Sequence, residues 1–480
     1  MATKRDQLQA YQFLVQRVVS ALVIRESDPE QPPFRRPTVA AIGSVAVAVL
    51  VLAGFGVFGL IAPGGKNAWR DGESIIVEKE TGTRFVYLDG RLHPVTNYVS
   101  ALLALNKHAP LMNVSRNSLA GVTRGPRIGI EDAPDSLPGP NGVLVSGWSI
   151  CSAPGKDETG AMVEESVLMV GRQPVNARQV DSDALLVAVE RTGDQYLLWN
   201  GYRHRIDASD TVTLGLALRS EPRATVAAEL LDALPVGDAL KPIRLTDLGK
   251  PSRAVATQPG LRIGQLMVLS ASGGNPQYYL ADRDQLRPLS PLQYEIQLAF
   301  APTEKAYGGR QPVGVPLGLI EAGRANLAAA APAGPGQLPS ARPSFVDPGD
   351  AGTALCATFD PGQAVPRLAV EVDMPPKDER TATPASTTRG TRLADRVVVP
   401  PGQVALVETM PSTGTPAPAV GLVSDLGVYY PLAGADLLDA LGYAGVATVR
   451  MPAGLVARIP AGDGLDAEAA RHPIPNATSR

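Results

Sequence analysis

The residue types that most often carry enzyme chemistry are scarce in this chain, and their spacing fits no catalytic or metal site. The 480 residues include four histidines, and none lies in an H-E-x-x-H or similar ligand spacing. A phosphate-binding P-loop requires G-x-x-x-x-G-K-[ST], and Lys66, Lys156 and Lys250, which each follow a glycine, lack the Ser or Thr. No G-x-S-x-G segment indicates a serine hydrolase. We therefore predict no catalytic residue, no metal ligand and no cofactor.

Two cysteines, Cys151 and Cys356, are the other residues with chemistry of their own. In an oxidising compartment an even pair indicates a disulfide, whereas in a reducing one two unrelated buried thiols are the usual state. A bond that closes a loop of about 200 residues stabilises the fold by roughly 4–5 kcal/mol in the chain-entropy model. The choice between the two states depends on the side of the membrane on which the cysteines lie.

An apolar segment near the N-terminus bears on that choice. No charged residue occurs from Pro37 to Ala62, and a helix of that length reaches about 39 Å, more than the roughly 30 Å hydrocarbon core of a bilayer. A cleaved signal peptide is the alternative, but 36 residues precede this long run. Arg35 and Arg36 lie directly before it among six basic residues, which favours a cytoplasmic N-terminus. We therefore predict a single-pass protein with an outer body in which Cys151 is bonded to Cys356.

The segment before the span has the periodicity of an amphipathic helix, over residues 5–25. Apolar side chains recur at spacings of three and four along one face, namely Leu8, Tyr11, Leu14, Val15, Val18 and Leu22. A helix of about 20 residues is marginal in water by itself, so its apolar stripe needs a surface. A partner protein and the membrane interface are both candidates, and the few basic residues on the polar face favour a partner protein.

Composition indicates a folded body rich in turns. The chain has 44 basic and 47 acidic residues, and this near balance favours no nucleic-acid partner. Its 48 glycines and 44 prolines indicate many turns and some linkers.

Four segments of the body resemble one another, at 84–105, 195–218, 277–300 and 421–443. Each reads as an apolar strand, a tight turn, a second short strand and a helix, and another apolar strand precedes it. The turn position holds Gly90, Gly201, Asp284 and Gly427. His93 and His204 share a later position, which favours a structural role in the repeat over a ligand role. We predict an α+β body of four small β-β-β-α modules around insertions.

The predicted division of the chain follows from these segments. It comprises a cytoplasmic segment (1–36), a transmembrane helix (37–62), repeat module 1 (67–124), the first part of a disulfide-linked central domain (125–182), module 2 (183–248), module 3 (260–325), the second part of the central domain with a linker (340–400), module 4 (401–462) and a C-terminal tail (463–480). Pro- and Ala-rich stretches at 330–343 and 375–391 read as exposed linkers, and the tail reads as loose.

Several motifs along the chain resemble the EccB family of type VII (ESX) secretion systems of actinobacteria. They are the amphipathic helix before the single span, G-x-x-H-P-V-x-N at 90–97, W-x-x-C at 148–151, A-L-C at 354–356 and D-L-G-V-Y-Y-P-L at 425–432. Residues 129–134 read G-I-E-D-A-P where the family has G-I-P-G-A-P, so the conformation of this loop is expected to differ. The resemblance covers nearly the whole chain.

The resemblance implies a structural core subunit of an inner-membrane secretion complex, with a periplasmic body of four repeats around a disulfide-linked central domain. It implies as partners an EccC-type motor ATPase, EccD, EccE and a mycosin protease. It also implies a homo-oligomer with dimer contacts inside a higher-order, for example hexameric, complex in contact with membrane lipid. A membrane-anchored module that binds peptidoglycan is the alternative, with Tyr202, Tyr278, Tyr279, Tyr429 and Tyr430 as candidate contacts. Some family members are named ATPases, a third option that the missing P-loop disfavours.

Overall fold

The computed structural model describes residues 3–23, 25, 35–61, 67–157, 159–270, 273–330, 334–349, 353–378, 381–411 and 419–474. Two helices precede the body: α1 (Lys4–Val23) and α2 (Arg35–Ile61). Within the described residues, one helix is long and apolar enough to cross a membrane, with a mean hydropathy of 2.4 over Thr38–Phe55. The predicted amphipathic helix and the predicted span thus both form helices, with ends shifted by one or two residues.

The body contains four four-stranded sheets, and we call each sheet with its helices a module. The strands of module 1 are β1 (Ile75–Glu78), β2 (Arg84–Leu88), β3 (Arg91–Pro94) and β4 (Leu111–Val114). Those of module 2 are β8 (Leu185–Val189), β9 (Gln195–Trp199), β10 (Tyr202–Arg205) and β11 (Arg223–Val226). Those of module 3 are β12 (Leu266–Leu269), β13 (Gln277–Ala281), β14 (Leu286–Leu289) and β15 (Gly314–Pro316). Those of module 4 are β19 (Ala405–Met410), β20 (Val420–Val423), β21 (Tyr429–Pro431) and β22 (Val449–Pro452).

Each module contains two helices at corresponding places in the chain. The first helix follows the third strand: α3 (Tyr98–Leu105), α5 (Ser209–Gly215), α7 (Pro291–Leu298) and α9 (Leu437–Ala440). The second helix follows the fourth strand: α4 (Arg116–Leu119), α6 (Ala228–Ala233), α8 (Leu319–Arg324) and α10 (Ala453–Val456).

All four sheets have the same strand order, in which the third, second, first and fourth strands of the module lie side by side. In module 1, β1 pairs antiparallel with β2 through Ile76 and Phe85, and parallel with β4 through Ile75 and Leu111. A parallel neighbour requires a crossover connection, which the first helix of each module supplies. The sequence predicted the β-β-β-α part of this unit but not its fourth strand or second helix.

A short segment after the second helix closes the open edge of each sheet beside the third strand. It forms isolated parallel bridges, Val95 with Ile128 in module 1 and Leu432 with Leu465 in module 4. Modules 1 and 4 therefore extend past the predicted boundaries at 124 and 462. The prediction of a loose tail from residue 463 is wrong for 463–474, because Leu465 and Ala470 are fully buried and Pro473 bridges to Ile128.

A six-stranded sheet lies among the modules and is assembled from two distant parts of the chain. Its strands are, in spatial order, β18 (Arg396–Val398), β6 (Met162–Met169), β5 (Trp148–Lys156), β16 (Ala354–Phe359), β17 (Arg367–Val372) and β7 (Arg178–Val180). Cys151 and Cys356 face each other across the antiparallel β5–β16 pair and form a disulfide, as predicted. Trp148 is fully buried, but it belongs to the core on the opposite face of β5 from the disulfide, because side chains alternate along a strand.

Shared hydrophobic cores fix the order of the modules in space. One core joins module 1 with module 4 and includes Leu102 and Leu437, so that α3 lies against α9. A second core joins module 2 with module 3, where α5 lies against α7. A third core contains the central sheet with β8 and α6 of module 2 and β19 and α10 of module 4, and α6 contacts α10. The modules therefore follow one another in the order 1, 4, 2, 3, with first helices paired at both outer seams and second helices paired in the middle.

The two predicted exposed linkers are partly packed instead. Residues 334–349 lie along the seam between modules 2 and 3: Phe345 bridges to Ala184, and the Leu292 amide donates to the Ser340 carbonyl. The Arg342 guanidinium pairs with Glu221 and donates to the Leu216 carbonyl at 2.6 Å. In the second stretch, Ala382 bridges to Arg396 and Ser386 to Arg392. Local composition was a poor guide in both stretches, because the partners lie in distant parts of the sequence.

Candidate functional site

The six predicted docking residues lie on α1, and all of them are exposed. Leu22 is 78% exposed, Tyr11 67% and Leu14 62%, and Leu8, Val15 and Val18 are also exposed. An apolar stripe of this size on one helix is the kind of surface that a partner or a membrane interface covers. α1 therefore offers a binding surface directly before the candidate span.

The predicted turn glycines have backbone conformations that other residues rarely adopt. Gly90 and Gly201 have φ of 73° and 75°, and each follows a residue that also has a positive φ, Asp89 or Asn200. Two such residues between paired strands make the type I′ hairpin, for which Asp-Gly and Asn-Gly are the preferred sequences. Gly427 likewise has φ of 72°. These three glycines are structural.

The third module departs from this pattern because its hairpin loop contains no residue with a positive φ. Four residues, 282–285, connect β13 to β14, and none of them has a positive φ. Asp284, the predicted turn residue, accepts a hydrogen bond from the Arg253 side chain at 2.8 Å. A loop without a positive φ does not require glycine, so an aspartate is compatible with this position.

The position three residues after the turn glycine holds His93 in module 1, His204 in module 2 and Tyr430 in module 4. At this shared His/Tyr position each ring packs against a glycine in the closing segment. A Cβ placed on Gly125, Gly237 or Gly462 would lie 2.2–2.3 Å from the ring of His93, His204 or Tyr430, respectively. The two imidazoles also make equivalent hydrogen bonds through Nδ1, His93 to the Pro126 carbonyl at 3.1 Å and His204 to the Asp238 carbonyl at 2.8 Å. The predicted structural role of the two histidines is consistent with these contacts. Sequence reasoning missed the three glycines, although each follows its ring by 32 or 33 residues.

Burial changes the protonation of these rings. His204 is fully buried, and desolvation lowers its pKa, so the imidazole is held neutral. Burial raises the pKa of Tyr430 to about 12, and the nearby Asp132 and Asp463 carboxylates add to this shift. The His204 ring therefore presents no charged group to a substrate.

An ion-pair cluster joins module 2, module 4 and the segment that leads into β18 of the central sheet. Asp232 on α6 accepts from Arg203 at 3.2 Å, from Arg392 at 2.7 Å and from Arg458 at 3.5 Å. Arg458 follows α10 and its side chain is only 9% exposed; burial lowers the pKa of its guanidinium. One carboxylate therefore pairs with three guanidinium groups that come from different parts of the chain. Sequence reasoning did not identify this cluster, because its members share no motif.

A cavity of about 130 Å³ lies between module 2 and the central sheet, and carboxylate side chains line it. Glu164, Glu190, Glu229 and Asp395 line it together with Arg392. Burial raises the pKa of Glu164 and of Glu229, and the neighbouring Glu190 and Asp395 charges act in the same direction. In the part of the chain that the structure describes, no group of three or more His, Cys, Asp or Glu side chains could hold a metal ion. The cavity is part of the junction between module 2 and the central sheet.

The two outer seams each hold an open cavity. The cavity between modules 2 and 3 measures about 560 Å³ and is lined by Lys241, Arg244 and Gln293 among others. The cavity between modules 1 and 4 measures about 440 Å³ and is lined by Glu131, Asp463 and His472 among others. The chain thus carries a basic cavity at one outer seam and an acidic cavity at the other.

Comparison with known proteins shows which family this chain resembles over its length. The family described as type VII secretion system ESX-1, transport TM domain B (T7SS_ESX1_EccB) matches residues 1–474. The ESX-5 secretion system ATPase EccB5 of Mycobacterium tuberculosis is 30% identical over 301 residues, which are 61% of this chain and 58% of that protein. The chain therefore spans less than two thirds of that relative. The ESX-2 secretion system ATPase EccB2 of the same organism is 27% identical over 98% of this chain and 94% of its own length.

Solved structures share the fold. A chain of the intact ESX-5 inner membrane complex superposes with a TM-score of 0.59 at 24% identity, covering 99% of this chain and 96% of that one. The EccB3 dimer from the ESX-3 core complex superposes with a TM-score of 0.58 at 25% identity, covering 83% and 100%. Since the family match extends over nearly the entire sequence, this chain belongs to the EccB family of type VII secretion proteins.

Proposed function

We propose that this chain is a structural core subunit of a type VII secretion complex in the inner membrane, where its body braces and oligomerises the periplasmic side. The observation that carries the proposal is the continuous packing of the body, in which three shared cores tie four modules and a disulfide-linked sheet together. Packed interiors deform little, which suits a brace. We infer further that the four modules are diverged copies of one unit, since they share one strand order.

The proposed orientation places the N-terminus in the cytoplasm and the body in the periplasm. Basic residues precede the apolar run, with Arg35 and Arg36 in the first turn of α2, as the positive-inside rule requires. The Cys151–Cys356 disulfide lies after α2 and persists in an oxidising compartment. Both observations support the same orientation, and they are independent of each other.

α1 is the proposed docking element of the cytoplasmic side. Its exposed stripe, with Leu14 and Val18 at the centre, would bind another subunit of the complex. By family resemblance the candidate partners are the EccC-type motor ATPase, EccD, EccE and the mycosin protease. The alternative occupant of the stripe is membrane lipid.

A pull-down of the full-length chain in mild detergent, with a C-terminal tag, tests this proposal. We expect a large assembly that contains a motor ATPase and a multi-pass membrane subunit, identified by mass spectrometry. A lone monomer or dimer that sediments with peptidoglycan would overturn it in favour of wall binding. The structure gives that alternative little support, because Tyr279 and Tyr430 are buried and Tyr278 stacks on Tyr294 at 4.2 Å.

Nucleotide hydrolysis is a separate question, because the relatives above are named ATPases. The sequence lacks a P-loop, and the body would lie in a compartment without ATP. We therefore expect no thermal shift of the full-length chain with Mg-ATP. A saturable shift would revive the ATPase hypothesis without affecting the assembly role.

A further inference from the structure

The two outer seams of the body occupy equivalent places in the repeat but carry opposite charge. The closing glycines Gly125 and Gly237 align modules 1 and 2 through the ring contacts described above. Seven residues after each glycine stands a charged side chain, Asp132 in module 1 and Arg244 in module 2. The same position of the unit therefore has reversed charge at the two seams. We call the cavity between modules 2 and 3 the basic seam. We call the cavity between modules 1 and 4, taken together with Asp132, the acidic seam.

The basic seam presents cations that the described part of the chain does not neutralise. Lys241 and Arg244 are exposed, and neither has a carboxylate within salt-bridge distance in the residues that the structure describes. Arg244 is held in place over the Phe300 ring, with its guanidinium carbon 5.6 Å from the centroid. Asp207, the acidic residue that lines the cavity, pairs with Arg205 at 3.3 Å. A cavity of about 560 Å³ with two such cations is large enough for the side chains of an acidic turn.

The acidic seam presents such a turn. Glu131 and Asp132 form the tip of a turn after the closing segment of module 1, and both are exposed. A Cβ placed on Gly462 would lie 2.9 Å from a carboxylate oxygen of Asp132, so Asp132 lies beside the backbone that carries Asp463. Among the described residues, no Lys or Arg lies within salt-bridge distance of Glu131, Asp132 or Asp463. Like charges held together without a counter-ion favour a basic partner.

We infer that the acidic seam of one copy of this chain docks in the basic seam of a second copy. A single chain cannot make this contact with itself, because the seams belong to different module pairs, separated by the α6–α10 junction. The contact is head-to-tail: each copy uses one seam toward each neighbour, and repetition closes a ring if the rotation permits. Electrostatic complementarity of this kind selects partners and orientation. The inference rests on the proposed assembly role and names the surfaces that would perform it.

Charge reversal on the full-length chain in detergent tests the contact. One variant carries Lys241→Glu with Arg244→Asp, and the other carries Glu131→Lys with Asp132→Arg. We expect each variant alone to lose self-association at least tenfold by native size analysis. An equimolar mixture should form a mixed species, because the acidic surfaces of the first variant then meet the basic surfaces of the second. Arg219→Asp with Arg223→Glu, exposed charges of module 2 outside the cavity, is the matched control and should assemble as the unaltered chain does.

The outcomes separate this contact from the broader role. Reversal variants that self-associate like the unaltered chain overturn the seam contact, as do a mixture that stays dissociated and an unaltered chain that remains monomeric. Co-purification with the motor ATPase and a multi-pass subunit reports on the proposed function independently. Salt supplies a second readout: self-association of the unaltered chain should weaken from 0.1 M to 1 M salt, since the Debye length falls from about 10 Å to about 3 Å.

Discussion

Replacement of Asp232 by Asn should destabilise the body strongly, because this carboxylate is the shared ion-pair partner of three arginines. Arg458 is 9% exposed and Arg203 is 20% exposed, so neither can recover full hydration when the charge is removed. Removing one partner of a buried ion pair typically costs 3–5 kcal/mol, and we expect about 3 kcal/mol here. The estimate is at the low end because Arg392 is half-exposed and has Glu229 at 3.8 Å as a second partner.

Thermal unfolding of the full-length chain, followed by tryptophan fluorescence, measures this loss. Three tryptophans report on separate regions: Trp69 before module 1, Trp148 in the central sheet and Trp199 in module 2. At about 2 °C or more per kcal/mol for a large domain, we expect Tm to fall by roughly 6 °C. Asp284→Asn is the matched control, because its Arg253 partner is 79% exposed and exposed pairs contribute about 0–1 kcal/mol.

A double variant identifies the cause of the loss. If an uncompensated guanidinium is responsible, Asp232→Leu with Arg458→Met should be more stable than Asp232→Leu alone, since an apolar pair can replace a buried ion pair. Equal Tm losses in Asp232→Asn and Asp284→Asn would refute the reasoning, and so would a double variant as unstable as the single one.

Three further predictions concern other parts of the chain. Cys151→Ser should lower the stability of the oxidised body by roughly 4 kcal/mol in the chain-entropy model, as measured by denaturant unfolding, and a midpoint equal to that of the unaltered chain would contradict a structural bond. Val18→Asp on α1 should release partner subunits in the pull-down, whereas Gln16→Asp on the polar side should not; intact co-purification of the first variant would remove the docking role. Because burial lowers the pKa of His204, the unfolded chain binds a proton that the folded chain refuses as pH falls below about 6.5, so stability should decline there, and His204→Phe should remove that part of the pH dependence in urea titrations.

Local patterns in the sequence were sufficient to predict individual helices and turns but not how these elements are arranged in space. The apolar run of α2, the stripe of α1 and the Asp-Gly and Asn-Gly turns each follow from a few adjacent residues, and the structure contains all of them. The disulfide followed from the cysteine count once the compartment was predicted. The fourth strand of each module was missed because it follows the first helix and pairs with the first strand of the module rather than with a neighbour in the sequence. No hairpin turn next to it indicates a strand.

The candidate sites show a similar division. The glycine turns and the His/Tyr position were visible as repeated positions, whereas the Asp232 cluster and the two charged seams arise from residues far apart in sequence. The predicted linker at 330–343 shows the same limit: its Pro and Gly content predicts an exposed segment, yet Arg342 donates to the Leu216 carbonyl of module 2 and Ser340 accepts from the Leu292 amide of module 3. Composition indicates how a segment behaves alone, and tertiary partners override it.

The order of modules in space has a consequence for how the membrane end of the body is held. Module 1 follows the candidate span directly, yet its core is completed by module 4 and by the segment that ends at Ile474, whose amide donates to the Arg127 carbonyl at 2.9 Å. The segment up to Ile474 therefore stabilises the module that follows the candidate span. The disulfide joins β5 to β16 in the central sheet. Modules 2 and 3 lie between these two strands in the sequence, so the chain enters and leaves this pair of modules at one fixed sheet. A body closed in this way connects its outer seams through packed cores rather than through linkers, which is what the proposed role of a periplasmic brace requires.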